Sequence, residues 1–342
     1  MRSISRKGRP FLVVPTNARL ASASLELYPA QTPAARLAKS FLSLAFKFKL
    51  PIKSATISLS VAKDIPFSQF LSQAASTQTF PRFALLAGNP NAGGRRFVLL
   101  LFDEKDEPLA VVKAGLGDAA TRLIAHEASF LAASSSPSIP RVRATFQSEG
   151  IHALALDFFP GKSPALEDSA GLESLLSSWI ESKRKVTIGE LAAWRRLENS
   201  FQTAPPSWMS SNQLKNSTCH PVIYHGDFTP WNIKVSLGAW HVLDWERGEM
   251  AGVPGWDWFH YVTQTANLVK HENVPDLCAR LEGLLASEAF SRYAVRAGVN
   301  GIEKRLVLAY LSYSIRILKQ TERLEQVQAL SDQLTKKWAG QK

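Results

Sequence analysis

The sequence predicts an α+β fold, in which a strand-rich first half carries one main helix and the second half is mostly helical. Three apolar runs of strand length lie close together at residues 83–86, 97–102 and 109–113. Apolar residues spaced three or four apart then predict a helix over residues 123–131. The same spacing recurs over residues 302–338. We therefore expect a small antiparallel sheet with one main helix, followed by a larger helical region.

The composition is that of a folded protein. The 342 residues are 45% hydrophobic and 20% charged, which argues against disorder. Cys219 and Cys278 form neither a metal-ligand spacing nor a disulfide framework, and this favours a reducing, cytoplasmic location. The apolar run at residues 11–14 is too short for a signal-peptide core, and no later run has the length of a membrane span.

The net charge of +11 is concentrated near the N-terminus. Residues 1–53 hold ten Lys and Arg against one Glu, so this segment alone carries +9. A surface of this kind could contact an anionic membrane or a nucleic acid. We expect no nucleic-acid binding, because no base-reading or stacking module accompanies the charge.

The basic segment also contains an amphipathic helical pattern. Four apolar residues fall on one helical face, namely Leu37, Phe41, Leu44 and Phe48. Such a helix could rest on an anionic bilayer. Four further apolar residues widen the apolar face, and they favour packing of the helix against the protein itself: Leu42, Ala45, Phe46 and Leu50.

The strand-rich half contains two features suited to phosphate binding. The turn at residues 88–94 is rich in glycine, and Gly93 and Gly94 would let backbone N–H groups approach phosphate without interference from a Cβ atom. Without a G-x-G-x-x-G pattern, an ordinary hairpin turn is the alternative. Lys113 ends an apolar strand, where burial requires an anionic partner, and Glu127 follows in the predicted helix. An exposed strand-end charge is the alternative for Lys113.

A second polar constellation begins at residue 225. Asp227 and Asn232 are five residues apart, and Asp244 follows twelve residues after Asn232. The apolar pattern between them predicts two short strands joined by a turn at Gly238, which would return Asp244 to the side of Asn232. Carboxylate and amide oxygens suit Mg²⁺, so Asn232 and Asp244 could hold the ion while Asp227 faces a substrate hydroxyl.

These motifs resemble those of the aminoglycoside phosphotransferase and choline kinase group. The matching residues are His225-Gly226-Asp227, Asn232 and Asp244. That group has the two-lobed protein-kinase-like fold, whose protein-kinase members carry H-R-D-x-x-x-x-N and D-F-G. Here Gly226 replaces the Arg, and Trp245-Glu246 follows Asp244, which favours a small-molecule kinase over a protein kinase. The resemblance covers residues 80–262 and includes no activation segment ending in Ala-Pro-Glu.

The resemblance implies a nucleotide-binding role for residues of the first half. Lys113 would hold the α- and β-phosphates of ATP, and Glu127 would position Lys113. The backbone of Asp157 and Phe158, where the lobes connect, would hydrogen-bond the adenine edge. A plain strand leading into a turn is the alternative for these two residues.

The resemblance also implies roles around the catalytic loop. Asp227 would accept or orient the proton of the acceptor hydroxyl. Asn232 and Asp244 would bind Mg²⁺. His225 and Asp257 would brace the loop, and Asp257 could alternatively cap its helix.

Three regions and one activity are expected. Residues 1–76 would form a basic extension packed on the first lobe, residues 77–157 the nucleotide-binding lobe, and residues 158–342 the helical lobe. The activity would be Mg²⁺-dependent transfer of the ATP γ-phosphate to a hydroxyl of a sugar, amino alcohol or similar metabolite. Aromatic rings in the second half could stack on such an acceptor or belong to the core: Trp179, Trp194, Trp208, Trp256 and Trp258.

Two other functions stay open at this stage. One is a kinase-like scaffold that binds nucleotide without catalysis, although all five expected polar positions are filled, and a degenerate kinase commonly lacks one. The other is a peripheral membrane or polyanion-binding protein that acts through residues 1–53.

Overall fold

The chain folds into two compact units. The first comprises residues 1–161 and 241–246, and the second comprises residues 162–240 and 247–342. The predicted α+β class is confirmed, because an eight-stranded antiparallel sheet lies in the first unit and most of the helices lie in the second. The computed structural model describes residues 1–6, 9–28, 33–50, 52, 54–58, 62, 65–88, 95–202, 205–210, 212–319 and 324–339.

The sheet of the first unit has the order β3-β1-β2-β4-β5-β6-β8-β7. Its strands are β1 Arg2–Arg6, β2 Arg9–Val14, β3 Ala55–Thr56, β4 Phe83–Ala87, β5 Arg95–Phe102, β6 Pro108–Leu116, β7 Val142–Ser148 and β8 Ile151–Asp157. The three predicted strands and the strand before Pro160 are β4, β5, β6 and β8. The N-terminal region up to Thr56 adds strands β1, β2 and β3 at one edge. The register places Lys113 of β6 between Val98 of β5 and Leu154 of β8, so this lysine projects from the interior of the sheet.

Four helices pack on this sheet. They are α1 Ala18–Ala23, α2 Pro33–Lys47, α3 Pro66–Ala74 and α4 Asp118–Ala133. Helix α4 is the predicted main helix, and it buries Ile124, Glu127, Phe130 and Leu131 as the apolar spacing indicates. Helices α1 and α2 share a separate apolar cluster with strand β2, in which Leu12, Leu25 and Phe46 are each no more than 2% exposed.

Helix α2 packs through a different face from the predicted one. Its contacts with the protein are made by Phe46 and Leu42, while Ala45 is also buried. The predicted contact face is exposed instead, at Leu37, Phe41, Leu44 and Phe48, and so is Leu50. Helix α2 therefore has two apolar faces, where the sequence analysis expects one. Apolar spacing shows which residues share a side of a helix but not which side packs against the protein.

The second unit is built mainly from helices. They are α5 Ser169–Ser178, α6 Ala192–Asn199, α7 Ser207–Ser210, α8 Asn212–Asn216, α9 Trp256–Gln264, α10 Val274–Ala286, α11 Glu288–Ala297, α12 Glu303–Tyr313 and α13 Leu324–Ala339. The short strands β9 Val186–Thr187 and β10 Thr218–Cys219 pair with each other. Strand β11 Val222–Tyr224 pairs with β14 Glu249–Gly252 and holds the loop that follows it.

Two predictions about the second half are confirmed. The hairpin at Gly238 is confirmed: strands β12 Ile233–Ser236 and β13 Ala239–Val242 pair around Leu237 and Gly238, which have φ of 49° and 80°. The helical run expected over residues 302–338 is confirmed at residues 303–318 and 324–339, although it is divided into separate elements, and residues 320–323 lie outside the described ranges. Helix α12 leads into a π-helical segment at residues 314–318 and ends at Lys319, whose φ of 46° takes the chain out of the helix.

No helix in the described ranges has both the length and the apolar character needed to cross a membrane.

Candidate active site

Lys113 lies at the centre of a charge cluster in the first unit. Its Nζ donates to Glu127 Oε1 and Oε2 at 2.6 and 2.9 Å, and to Asp244 Oδ1 at 2.7 Å. Glu127 comes from helix α4, and Asp244 belongs to the segment 241–246 that joins this unit. The lysine and glutamate paired by the sequence analysis are therefore in direct contact, and Asp244 completes the cluster.

The three side chains of the cluster differ in their exposure to solvent. The Glu127 side chain is 1% exposed and that of Lys113 17%, whereas that of Asp244 is 42% exposed. Burial alone would lower the pKa of Lys113, but the neighbouring carboxylates of Asp244 and Glu127 outweigh it, so the pKa is raised and the ammonium form is kept. Burial raises the pKa of Glu127, and the charge of Lys113 opposes this effect. The ammonium thus has one buried carboxylate behind it and one solvent-accessible carboxylate beside it.

The segment around Asp244 is fixed by its neighbours in sequence. The Trp245 backbone N–H donates to Glu127 Oε1 at 3.0 Å, and the Trp245 ring stacks on Phe130 of helix α4 at 4.7 Å. Glu246 forms an ion pair with Arg96 of strand β5. Asp244 itself has φ of 71°, an uncommon conformation for a non-glycine residue, and the contacts of the two residues that follow it support this conformation.

Asp227 is held in the second unit by a chain of hydrogen bonds. His260 Nε2 lies 3.1 Å from Asp227 Oδ1, and the Tyr310 hydroxyl lies 3.0 Å from His260 Nδ1. A carboxylate oxygen accepts, so His260 donates through Nε2, and Nδ1 is the ring nitrogen that faces the Tyr310 hydroxyl. Burial raises the pKa of Tyr310, so its hydroxyl keeps its proton. The chain orients one oxygen of Asp227, whose side chain is 34% exposed.

Asp257 supports the same loop from beneath. Its carboxylate accepts from the backbone N–H groups of His225 at 2.7 Å and Gly226 at 3.1 Å. Burial raises the pKa of Asp257 to about 7, although the two N–H donors favour the charged form. His225 is fully buried, and its Nδ1 accepts from the Asp227 N–H at 3.1 Å. His225 and Asp257 therefore both contact the backbone of the loop, the position expected of bracing residues.

Gly226 is required by the shape of this loop. Its φ is +78°, and an added Cβ would lie 2.9 Å from Arg247 Cβ and 3.2 Å from the Arg247 carbonyl oxygen. A side chain here would meet both a strained backbone and a close neighbour. The position that carries Arg in protein kinases is thus closed to any side chain.

Asn232 lies beside Asp227, five residues after it in the chain. Its Nδ2 donates to the Asp227 carbonyl at 2.9 Å and to Asp227 Oδ2 at 3.3 Å. With the amide nitrogen used in this way, Oδ1 is the atom suited to a cation. Asn232 belongs to the second unit and Asp244 to the first. Both offer the hard oxygen donors that Mg²⁺ prefers, so the residue types fit the ion.

The residues predicted to hold adenine are engaged in the sheet. Asp157 pairs with Ala110 of β6, and its side chain accepts from Arg143 Nη1 at 2.7 Å. The Phe158 N–H donates to the Leu109 carbonyl at 3.1 Å. An adenine contact in this segment would therefore need groups other than that amide. Gly93 and Gly94 lie outside the described residues.

Most of the tryptophans considered as acceptor platforms belong to the core. Trp179, Trp194, Trp256 and Trp258 are each no more than 2% exposed. Trp258 packs edge-on against Phe290 and Tyr293 in the interior of the second unit. An acceptor cannot stack on rings buried to this extent, so the core interpretation is the correct one for these four.

Three residues at the candidate site escaped the sequence analysis. His260 falls three residues after Asp257 on helix α9, a spacing that places both on one helical side and could have drawn attention to it. Tyr310 was recognised only as part of an apolar helical face, and nothing local in the sequence links it to His260. Arg96 follows the glycine-rich turn, and its pairing with Glu246 joins residues 150 positions apart.

Comparisons with known proteins yield similarities in structure only. No protein family profile matches the sequence, and no curated protein matches it. Similar solved structures include a protein assigned as a fructosamine-3-kinase from Haemophilus somnus 129PT, with a TM-score of 0.45 and 12% identity over 78% of this chain and 96% of that one. A choline kinase from Cryptosporidium parvum Iowa II has a TM-score of 0.42 and 11% identity over 76% of this chain and 90% of that one.

An aminoglycoside phosphotransferase from Streptomyces rimosus is also similar. Its TM-score is 0.41, with 13% identity over 73% of this chain and 98% of that chain. Two of these three proteins carry the names of the group that the sequence motifs resemble. All three TM-scores lie below 0.5.

Proposed function

We propose that the protein is a small-molecule kinase that transfers the γ-phosphate of ATP to a hydroxyl group, with Mg²⁺ as the metal. The acceptor class is a sugar, an amino alcohol or a similar metabolite. The observation that carries the proposal is the position of Lys113, which bridges buried Glu127 and accessible Asp244 from the interior of a sheet. A lysine needed only for stability would be satisfied by Glu127 alone. The exposed second carboxylate leaves charge available for a bound ligand.

Each residue of the first unit would have a separate task. Lys113 would bind the α- and β-phosphates of the nucleotide, and Glu127 would hold the ammonium in place while it does so. Asp244 would exchange its contact with Lys113 for a shared role in metal binding. The backbone of Asp157 and Phe158, together with Gly93 and Gly94, would contact the rest of the nucleotide.

The second unit would supply the group that handles the acceptor proton. Asp227 would accept or orient the proton of the acceptor hydroxyl, and the hydrogen bond from His260 limits the rotation of its carboxylate. The Tyr310 hydroxyl contacts Nδ1, the other ring nitrogen of His260. A carboxylate oriented before the substrate arrives loses less conformational entropy on binding, which favours catalysis.

Mg²⁺ would neutralise charge on the phosphates during the transfer. Asn232 through Oδ1 and Asp244 through its carboxylate would provide protein oxygens for it. The remaining ligands of such an ion commonly come from water and from the nucleotide phosphates.

The proposal is tested by an acceptor screen that follows ADP release. The full chain is incubated with ATP and Mg²⁺ and with panels of sugars, amino alcohols and glycan precursors, and GTP replaces ATP in parallel. On any acceptor that is turned over, Asp227→Asn should lower kcat by about 10²- to 10⁴-fold while nucleotide affinity changes little. Glu149→Gln, at an exposed turn residue, is the matched control and should retain full activity.

Two outcomes would contradict the proposal. If ATP and Mg²⁺ raise the melting temperature but no hydroxyl compound is phosphorylated, the protein is a nucleotide-binding scaffold. If Asp227→Asn turns over as fast as the wild type, Asp227 is not the group that handles the acceptor proton.

A further inference from the structure

Helix α2 and Phe48, the residue that directly follows it, carry a row of large apolar side chains on their outer face. Leu37, Phe41, Leu44 and Phe48 are 74, 59, 52 and 63% exposed. At 100° per residue these four positions fall within a narrow sector of the helix, and they extend over about 16 Å along its axis. Scattered apolar residues are ordinary on a protein surface, but a continuous row of four marks an interaction site. We call these four residues the α2 stripe.

The orientation of the stripe is fixed by packing on the opposite face of the helix. Phe46 is 2% exposed and Ala45 1% exposed, and Leu42 packs against the same cluster beneath them. The Ser43 hydroxyl also lies 3.0 Å from the Ser22 hydroxyl of helix α1. Rotating the helix to bury the stripe would expose Phe46 and break this contact. The stripe therefore faces outward as a consequence of the fold.

Basic side chains border the stripe. An open groove of about 600 Å³ between helices α1 and α2 is lined by Arg19, Lys39 and Lys47, of which Arg19 forms an ion pair with Glu107 and Lys39 one with Glu26. Lys47 Nζ lies 5.8 Å from the centre of the Phe48 ring, so the groove and the stripe adjoin. Exposed Lys49 follows at the end of the helix. These lysines belong to a segment, residues 1–53, that holds +9 of the total charge of +11.

We propose that helix α2 docks on an anionic lipid bilayer, with the α2 stripe in the acyl boundary and Lys47 and Lys49 at the level of the head groups. A helix with large apolar side chains on one face and lysines beside them has the pattern of helices that lie in the plane of a membrane interface. Its length suits this placement and is too short to span the bilayer. The proposal is independent of the enzymatic one, because none of these residues belongs to the candidate active site.

The charge favours a lipid surface over a second copy of the chain. Two copies joined through their stripes would bring two segments of charge +9 together, and this repulsion opposes association. An anionic bilayer attracts the same charge. A bilayer also accommodates the α2 stripe without any groove of complementary shape. A protein partner would need such a groove.

Vesicle flotation with the full chain tests the proposal. The wild type should bind phosphatidylcholine vesicles that contain phosphatidylserine and bind pure phosphatidylcholine much less. Phe41→Gln/Phe48→Gln should lower the partition coefficient at least about tenfold, because two large side chains no longer leave water. Lys47→Gln/Lys49→Gln should lower it by roughly 30-fold, since each lysine near an anionic surface contributes about fivefold.

Matched variants separate these effects from a general loss of charge or apolar surface. Val295→Gln replaces an apolar residue that is 62% exposed on helix α11, and Lys183→Gln/Lys185→Gln removes two exposed lysines of the second unit. Both should bind vesicles like the wild type. Raising the salt from about 0.1 M to about 1 M shortens the Debye length from about 10 to about 3 Å, and it should weaken binding of the wild type more than that of Lys47→Gln/Lys49→Gln.

Insertion of the stripe can be measured directly. Both native cysteines are buried, so a fluorophore sensitive to polarity can be attached selectively to Phe41→Cys. Its emission should shift to the blue when anionic vesicles are added, whereas the same label on Val295→Cys should not respond. Circular dichroism of every variant establishes that the fold is retained, as expected for changes at exposed positions.

Three results would overturn the proposal. The first is wild-type flotation equal with and without phosphatidylserine, or absent from both. The second is unchanged binding by Phe41→Gln/Phe48→Gln. The third is self-association without vesicle binding: in sedimentation velocity the mass of the wild type would rise with concentration, and that of Phe41→Gln/Phe48→Gln would stay at the monomer value. The stripe would then be an interface between copies of the chain.

Discussion

Lys113 and Glu127 depend on each other for their charge. Because Glu127 is 1% exposed, it can stay ionised only with the ammonium beside it. Lys113→Met should therefore destabilise the fold by about 3–5 kcal/mol, the usual result of removing one partner from a buried pair. It should also abolish phosphoryl transfer. Urea unfolding and the ADP-release assay measure the two effects separately.

A double variant distinguishes lost charge from lost packing. In Lys113→Met/Glu127→Gln the orphaned carboxylate is gone, so about 1–3 kcal/mol of the lost stability should return while activity stays absent. If the double variant is less stable than the single one, burial of an unpaired Glu127 is not what costs the stability.

Asp257 predicts how stability depends on pH. Its pKa is raised by burial from 3.8 to about 7, so the folded state binds this proton more tightly than the unfolded state does. The stability from this group is then fully present below pH 4, falls as the pH rises and is lost by about pH 7. The shift corresponds to roughly 4 kcal/mol over that range.

Asp257→Asn should remove this dependence. The free energy of unfolding of the wild type minus that of the variant should decrease steadily between about pH 4 and pH 7 and stay level above it. Urea titrations at several pH values measure this difference. A flat difference would mean that the N–H groups of His225 and Gly226 keep Asp257 ionised throughout.

How far these residues could be predicted follows from the range of their contacts. The Lys113–Glu127 pair was predicted from the family resemblance, together with the position of Glu127 in the next predicted helix, and the structure places Lys113 within strand β6 instead of at the predicted strand end. The contact of Lys113 with Asp244 spans 131 positions, and that of His260 with Tyr310 spans 50. Such contacts depend on how helices and loops pack, and no local pattern in the sequence records this.

The loop between β11 and the short turn at Asn232 depends on one glycine. Gly226→Ala should pay about 1–2 kcal/mol for its positive φ and a further ~1–3 kcal/mol for the approach to Arg247. Because Asp227 is the next residue, kcat should fall as well. Thermal unfolding and turnover of the same sample measure both effects.

Gly150 provides the control for this prediction. Its φ is +72°, but a Cβ there would have nothing within 4 Å. Gly150→Ala should therefore show only the backbone cost and retain activity. Equal destabilisation by the two substitutions would mean that the contact with Arg247 relaxes without penalty.

Secondary structure elements were predictable where their apolar residues form a single face that packs on one neighbouring element. Strands β4, β5 and β6 and helix α4 follow their apolar runs closely. The buried face of helix α2 was predicted wrongly because the helix has apolar residues on two sides. Only the packing of Phe46 on the cluster of Leu12 and Leu25 decides which side faces inward. The helical character of residues 303–318 and 324–339 follows the apolar spacing, but nothing in that spacing marks the turn at Lys319.

At the scale of the whole chain, the least predictable property was which residues belong to which of the two units. Residues 241–246 join the first unit, where the Val242 N–H donates to the Ser138 carbonyl at 2.8 Å and His241 stacks on Phe159 at 4.0 Å. This return of the chain brings Asp244 to Lys113. The motif spacing placed Asp244 near Asn232 in the chain, but it carried no information about the unit to which each residue belongs.

The N-terminal segment also has a role in the whole fold that its charge conceals. Strand β2 pairs with β4 through Leu12 and Leu86, and Leu20 of helix α1 packs on Ala84, Leu100 and Phe102 of the central strands. Deleting residues 1–57 would leave β4 as an open edge and expose this apolar surface. An unprotected apolar edge strand promotes aggregation. We therefore expect the truncated chain to be largely insoluble, or to unfold at a markedly lower temperature than the full chain.

Full-length Lys47→Gln/Lys49→Gln is the control for this deletion, because it reduces the positive charge and leaves the sheet and its apolar contacts in place. Its soluble yield and melting temperature should match those of the wild type, since both lysines are exposed. Leu12→Ala, at a position 1% exposed, should instead lose about 2–5 kcal/mol. If the truncated chain melted like the full chain, residues 1–57 would be a detachable arm, and pairing of β2 with β4 would contribute nothing to the stability of the first unit.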